Sequence, residues 1–421
     1  MDALVDKQIK KDMFWSRFFL QSACLWPYTN RILKYAGRVL LIPSAIFMEL
    51  CLLYGGYKNL RQDSLDIVYT FTNVIELLIG ISIIPMYFIT MSYDREFKLL
   101  LGDMMHFYSE EASAEERKIV QDVTRGTYHL SCLLAAFVCV FCAAYALAPH
   151  SVWYHCAPVL LVPLLRHCLG HYRHHGNHSS GSSRALASTA VVFAVDQDKY
   201  YYPLFVYTTM NMIQLATVAN ALSASFLCSV AFIRAQFRII VHRLTNLDSL
   251  VQREYLKRDL SIQDYIHQEF INLYLYHINS IRNLKLINMI GEKLLFIVSV
   301  LCLLGLSFSG SMAVIFLRKA PLAALNFVMC FIVLLILSLM LNYVGQSVID
   351  ANNEVYHNCY HCGWYGFPVK TRPFVFLMLM ITRKACGLKS GPFTILQLSY
   401  ENYSLILKSV ISYITVMISV L

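Results

Sequence analysis

Four groups of residues could do chemistry. His167, His171, His174, His175 and His178 crowd one stretch, followed by a Ser-Ser-Gly-Ser-Ser tract, and imidazoles at that density can bind a transition metal. No acidic residue or cysteine pair frames them, so the tract reads as a flexible insertion. Cys359 and Cys362, with His357 and His361, make half of a zinc-like site. Its second half is missing, and they read as ordinary loop thiols. Glu49 and Glu76 stand in apolar surroundings, where an acid is costly and raises a functional hypothesis by default; the alternative is a neutral carboxyl, or one bonded to nearby Tyr or Asn. The fourth group is a stripe. Ser404, Lys408, Ser412, Thr415 and Ser419 recur every three or four residues, which places them on one side of a helix otherwise built of Leu, Ile, Val and Tyr. Such a stripe can face water while the other faces meet lipid or protein; equally, its hydroxyls can bond back to the preceding turn or to a neighbouring helix. No nucleophile–base pair, phosphate loop or complete metal signature occurs, so neither metal nor cofactor is expected and the chain does not read as an enzyme.

The elements that position these groups are membrane spans. With 57% hydrophobic and 14% charged residues and a mean hydropathy of +0.52, the 421-residue chain is too apolar for a soluble globule. Apolar runs at about 37–57, 67–91, 127–147, 204–233, 294–317, 322–344 and 393–421 suit transmembrane helices of roughly 20 residues. The expected fold is all-α, with seven spans. Lys and Arg lie between the spans rather than on one basic face, so the formal charge of +9 points to membrane orientation and not to nucleic acid. Alternate connections carry 25 of them against 8, and the richer set should be cytoplasmic. That places the N-terminus inside and the C-terminus outside, opposite to a G-protein-coupled receptor. Tyr93-Asp94-Arg95-Glu96 follows span two and reads as a solvated helix end. Residues 1–11 lack a signal-peptide core. Most of the 13 cysteines lie within spans as small hydrophobes.

Between the spans, the sequence divides into a cytosolic segment 1–36, a long outer loop 148–203, cytosolic extensions 234–293 and a cytosolic segment 345–392, with 37–233, 294–344 and 393–421 holding the spans. The segment 234–293 has apolar residues at helical spacing and is expected to continue spans four and five as helices. With the short run Pro373 to Ile381 it would form a cytosolic helical layer where subunits meet; the alternative is a monomeric intracellular loop. In the outer loop, Asn177-His178-Ser179 is a glycosylation sequon, and Cys156 and Cys168 are free to pair. Gly305, Ser309 and Ala313 recur every four residues and read as a close helix contact.

Several short motifs add to this layout. Leu25-Trp26-Pro27 precedes span one; Tyr360, Trp364 and Tyr365 form a Tyr-x-x-x-Trp-Tyr cluster; basic residues follow the run 373–381; Ser390-Gly391-Pro392-Phe393 and Ser412-Tyr413 come near the end. In this order and on this membrane layout they resemble the insect odorant receptors, and the resemblance covers both ends of the chain. It implies a ligand-gated cation channel subunit in the plasma membrane of an olfactory neuron's dendrite. Such a subunit works in a heteromer, usually described as a tetramer, with the family's shared co-receptor. The cytosolic layer holds the subunits together, and Tyr360, Trp364 and Tyr365 are assigned to that interface.

The co-receptor has a longer insertion between spans four and five and a different tail, so this chain is more like an odorant-tuning subunit. It also lacks the Gln-Phe that typically ends span seven in the related gustatory receptors. The resemblance puts the ligand, a small volatile, in the outer half of the bundle, where Tyr69, Phe71, Thr72, Phe141, Tyr145, Thr208, Met212 and Phe327 are the candidates; for each, ordinary core packing is the alternative. It puts the pore on span seven, with Ser412, Thr415 and Ser419 on the polar side and Val416 as the apolar gate. Lys408 would snorkel or face a wider vestibule. A gustatory-type channel, a metabotropic receptor or a transporter remain the other readings.

Overall fold

The computed structural model describes residues 14–61, 67–109, 114–147, 200–254, 260–319, 321–384, 386–391 and 396–420. The His-rich tract, Asn177, Cys156 and Cys168 lie outside them. The described chain is nearly all helix: α1 (Phe14–Ser22), α2 (Arg31–Leu60), α3 (Ile67–Ser92), α4 (Asp94–Ser109), α5 (Ala114–Leu147), α6 (Tyr201–Glu254), α7 (Leu260–Lys319), α8 (Pro321–His361), a 3-10 turn (Trp364–Gly366), α9 (Arg372–Arg383) and α10 (Tyr400–Val420). A hairpin of two two-residue strands, β1 (Lys389–Ser390) and β2 (Leu396–Gln397), pairs antiparallel just before α10. The seven apolar runs fall on α2, α3, α5, α6, α7, α8 and α10.

Two zones follow from the sequence. In the span halves, residues such as Leu133, Val206, Ile213, Val314, Leu317, Ile332 and Ile336 stay exposed, as side chains do when the medium around them is as apolar as they are. Beyond the spans, water drives apolar groups inward. There α1, α4, α9 and the extensions of α6, α7 and α8 bury Leu20, Leu100, Met104, Phe237, Ile240, Leu244, Phe270, Leu273, Val355, Val375 and Met378 in one continuous core. The extensions need no new helix. α6 runs 54 residues and α7 runs 60 without a break, and α8 likewise passes residue 345 as one helix. The boundaries read from charge at 233/234, 293/294 and 344/345 are therefore changes of environment rather than of backbone.

Three other expectations differ. The run 393–421 is not one helix: Leu396 and Gln397 are strand, Leu398 is buried, and α10 begins at Tyr400. The reason is Gly391, whose φ of +90° turns the chain in a way that favours glycine, and the pairing of Lys389 with Gln397 that follows. Cys359 and Cys362 are not loop thiols. Both are buried at the C-terminal end of α8, where the Cys362 thiol donates to the Cys359 carbonyl. Asp94 is more than a solvated helix end, since it pairs at 3.0 Å with Lys34, a buried lysine that also donates to the Pro27 carbonyl.

That last contact explains the Leu25-Trp26-Pro27 motif. Leu25 and Trp26 are buried, and their backbone N–H groups donate to Leu20. The Tyr87 hydroxyl donates to the Ala23 carbonyl. The motif ends α1 and ties it to the same end of α2, α3 and α4. In the spans, Gly305 makes the close contact its spacing suggests: a Cβ there would lie 2.8 Å from Leu334 of α8, and one on Gly310 would lie 2.5 Å from Ile414 of α10.

Candidate functional site

α10 packs against α7 and α8 along one side only. Asn402 and Val410 are buried there, and Ile414 approaches Gly310. Elsewhere the helix is exposed: Leu405 and Lys408 in its first half, and in its second half Ile411, Ser412, Tyr413 and every residue from Thr415 to Ser419. Ser404, Thr415 and Ser419 donate to carbonyls of their own helix, at Glu401, Ile411 and Val416, as the back-bonding reading of the stripe expects. A hydroxyl that gives its proton to the preceding turn keeps its oxygen lone pairs free. Turned to water, those oxygens can coordinate a cation. Val416, 55% exposed, puts an apolar side chain beside them.

The base of α10 is fixed to α8. Asn342 donates to the Ser338 carbonyl and accepts from the Ser399 N–H at 3.3 Å and the Asn402 side chain at 2.9 Å. Gln346 accepts from the Tyr400 N–H at 3.3 Å. Between them, Gly345 leaves room for the backbone of Leu398; a Cβ there would sit 2.4 Å from its carbonyl oxygen. The hairpin is held from the other side by Asn288 of α7, which donates to the Gly387 carbonyl and accepts from the Lys389 N–H. The Gly391 N–H reaches the Glu292 carbonyl.

Of the interface candidates, Tyr360 and Tyr365 are displayed on the surface and Trp364 is tucked between Tyr365 and Phe376, 5.2 Å from the latter. Arg372 holds this turn by donating to the Tyr365 and Phe367 carbonyls. Val369, Phe376, Leu377 and Met380 are exposed beside it. Sequence reading placed the run Pro373 to Ile381, with Phe376, Leu377 and Met380, in the layer without singling these residues out, and passed over Val369; α9 is apolar on two faces and buries only one, through Val375, Met378 and Thr382.

The ligand candidates fall in separate places. Met212 packs with Leu204 and Tyr207 against Met48, Cys51 and Leu52 of α2. Thr208 is buried in the same turn of α6. Phe327 stacks on Phe316 at 5.7 Å, in a cluster with Met312 and Ala324 between α7 and α8. Tyr69, Phe71 and Thr72 lie on α3 and Phe141 and Tyr145 on α5, with side chains outside the described residues, as is that of Glu76. Near Met212 the structure adds polar groups that hydropathy could not flag: the Tyr207 hydroxyl donates to the Ser44 carbonyl, and Gln214 bonds Ser44 and the Leu41 carbonyl. Glu49 lies over Gly80, where any side chain would displace its carboxyl. Among the described residues no group of three His, Cys, Asp or Glu is placed to hold a metal ion.

This arrangement is that of a seven-helix membrane receptor, with an apolar bundle, a largely exposed helix at its edge and a packed helical layer at one end. The family model described as 7tm Odorant receptor matches residues 68–411, and the chain belongs to that family, a family of receptors and not of enzymes. Its fold is similar to the insect olfactory receptor OR5 from Machilis hrabei, at a TM-score of 0.66 and 11% identity over 100% of both chains. It is similar also to the same receptor in complex with eugenol, at a TM-score of 0.64 and 12% identity over 100% of both chains. No curated protein matches the chain in sequence.

Proposed function

We propose that this chain is an odorant-tuning subunit of a ligand-gated, non-selective cation channel. It works in a heteromer, most simply a tetramer, with the odorant receptor co-receptor in the plasma membrane of an olfactory neuron. The observation that carries this reading is α10, anchored at its base and along one side to α7 and α8 and exposed elsewhere, with the hydroxyls of Ser412, Thr415 and Ser419 and the apolar Val416 among its exposed side chains. A shared pore needs one polar face from each subunit, and Ser412, Thr415 and Ser419 in line supply one. An apolar ring closes a narrow pore by dewetting, and a polar ring beside it coordinates the ion; Val416 and Ser419 take these roles. Lys408, nearer the layer, extends along its four-carbon stem into a wider vestibule. The exposed apolar surface of α9 and the Trp364 turn meets the neighbouring subunits. The layer is cytosolic and the C-terminus outside, which the charge asymmetry supports.

The ligand is a small, mostly apolar volatile, bound in the outer half of the bundle among Tyr69, Phe71, Thr72, Phe141, Tyr145, Thr208, Met212 and Phe327. The eugenol complex of the Machilis receptor supports this ligand class. Whole-cell recording from cells expressing the chain with and without the co-receptor, across an odorant panel, tests the proposal. Odorant-evoked cation current only in the co-expressing cells is the expected result; current that depends on a G-protein inhibitor would support a metabotropic receptor instead. Tags placed in 148–203 and 234–293 test the orientation, with surface staining expected for the first alone.

A further inference from the structure

Where the spans meet the layer, α5, α6 and α8 leave a groove of about 460 Å³, within the size range of small-molecule sites. Its two ends differ in chemistry. Along α6 its wall passes from Leu227 and Val230 to Arg234 and Arg238, and along α5 from Leu133 and Leu130 to Asp122, a rise of about 16 Å on each helix. The apolar end lies in the spans and the charged end beyond them. On α8, Met340 and Tyr343 complete the wall. Leu133 is 68% exposed and Tyr343 close to half exposed, so the groove opens sideways at membrane depth.

The two arginines stand one turn apart as like charges. Among the described residues neither forms an ion pair, although Asp122 lines the same groove and Asp350 acts on Arg234 from a distance. Arg234 is held below the usual guanidinium range, first by burial and then by the charge of Arg238 one turn away. A partly buried cation beside a like charge is costly unless an anion joins it. His129 is the remaining titratable side chain on α5 in this wall.

We propose that the groove binds an anionic phospholipid of the leaflet bordering the layer, with its phosphate held by Arg234 and Arg238 and an acyl chain lying along Leu133, Leu130 and Leu227. Two guanidinium forks one turn apart suit phosphate geometry, and basic pockets between spans on the cytoplasmic side are where such headgroups dock. A soluble anion would satisfy the arginines but leave the apolar half and its lateral opening unused. Assignment to the cytosolic leaflet rests on the orientation proposed above; binding itself does not.

The test uses the purified full-length chain in detergent, a fluorescent short-chain phosphatidylinositol bisphosphate, and phosphatidylcholine of equal chain length. Saturable binding of the anionic probe, about tenfold tighter than phosphatidylcholine, is expected. Arg234→Gln with Arg238→Gln should weaken it about tenfold or more, Asp122→Asn should tighten it, and Lys118→Gln, on the exposed side of α5, should leave it unchanged. Leu133→Trp should weaken it with every charge retained, which keeps the proposal open to refutation if the double variant does not fold. Equal binding by a folded double variant overturns the proposal. So does free inositol trisphosphate competing as strongly as the lipid, the signature of a soluble-anion site. The assay is blind to orientation, so outward staining of a tag in 234–293 would reject the topology and leave the site standing.

Discussion

Ser419, Val416 and Lys408 share a stripe but differ in what they offer an ion. Ser419→Glu adds a charge beside the proposed ion path and should alter cation selectivity or block in the co-expressed channel. Val416→Ala shrinks the apolar ring and should raise basal current about threefold or more. Lys408→Gln, further from the narrow part, should change conductance less than either; single-channel and reversal-potential recordings compare the three. A second residue acts on stability. His277 is buried in the segment 234–293, read as cytosolic, with neither ring nitrogen hydrogen-bonded among the described residues, and burial pushes its pKa down to about 4. The unfolded chain then binds a proton near pH 6.5 that the folded chain refuses. Stability from this site is full above about pH 6.5 and falls as pH drops towards 4, by up to about 3 kcal/mol. Melting curves of the purified protein at pH 7.5 and 4.5 should show His277→Leu losing less than the parent. The stripe was legible in the sequence because helical spacing alone reveals it. The isolation of His277 was not, because it depends on which helices pack around it.

At the scale of elements, the junction of α8 with the start of α10 is the part most sensitive to change. Asn342→Leu removes the acceptor for Ser399 and Asn402 and leaves the buried Asn402 amide unpaired, a loss of about 1–3 kcal/mol. Adding Asn402→Leu should restore part of that loss, since replacing both partners costs less than orphaning one; thermal melts of the single and double variants measure it. Gly345→Ala places a methyl against the Leu398 backbone and should depress odorant-evoked current more than surface expression. The long spans and the extensions of α6 and α7 were readable from hydropathy and periodicity. The hairpin was not, since two-residue strands have no period to detect, and the apolar run from Phe393 concealed the turn at Gly391. Nor did α1 stand out; its nine residues gain their helix by docking Phe19 and Leu20 into the layer.

At the scale of the whole molecule, the heteromer proposed above has two exposed surfaces to use, that of α10 and the apolar side of the layer. Tyr365, Val369 and Met380 are each more than 70% exposed, far more than a water-facing surface needs of large apolar groups in one place. Val369→Asp with Met380→Asp should therefore reduce co-purification with the co-receptor several-fold while the melting temperature of the isolated chain holds. Charge asymmetry made the two zones legible, and the Tyr-x-x-x-Trp-Tyr motif marked the turn between α8 and α9. The gathering of the ligand candidates was not legible, because residues distant in sequence meet only through packing, and Met212 and Phe327 join different clusters. The central claim is that α10 lines an ion path. Cysteine placed singly at Ser412, Thr415 and Ser419, and at the buried Val410, in channels co-expressed with the co-receptor tests it most directly, read as block of odorant-evoked current by a charged thiol reagent. Block at the three stripe positions with none at Val410 is the expected result, and unimpeded current at all three, with the cysteines labelled and the protein at the surface, would contradict it.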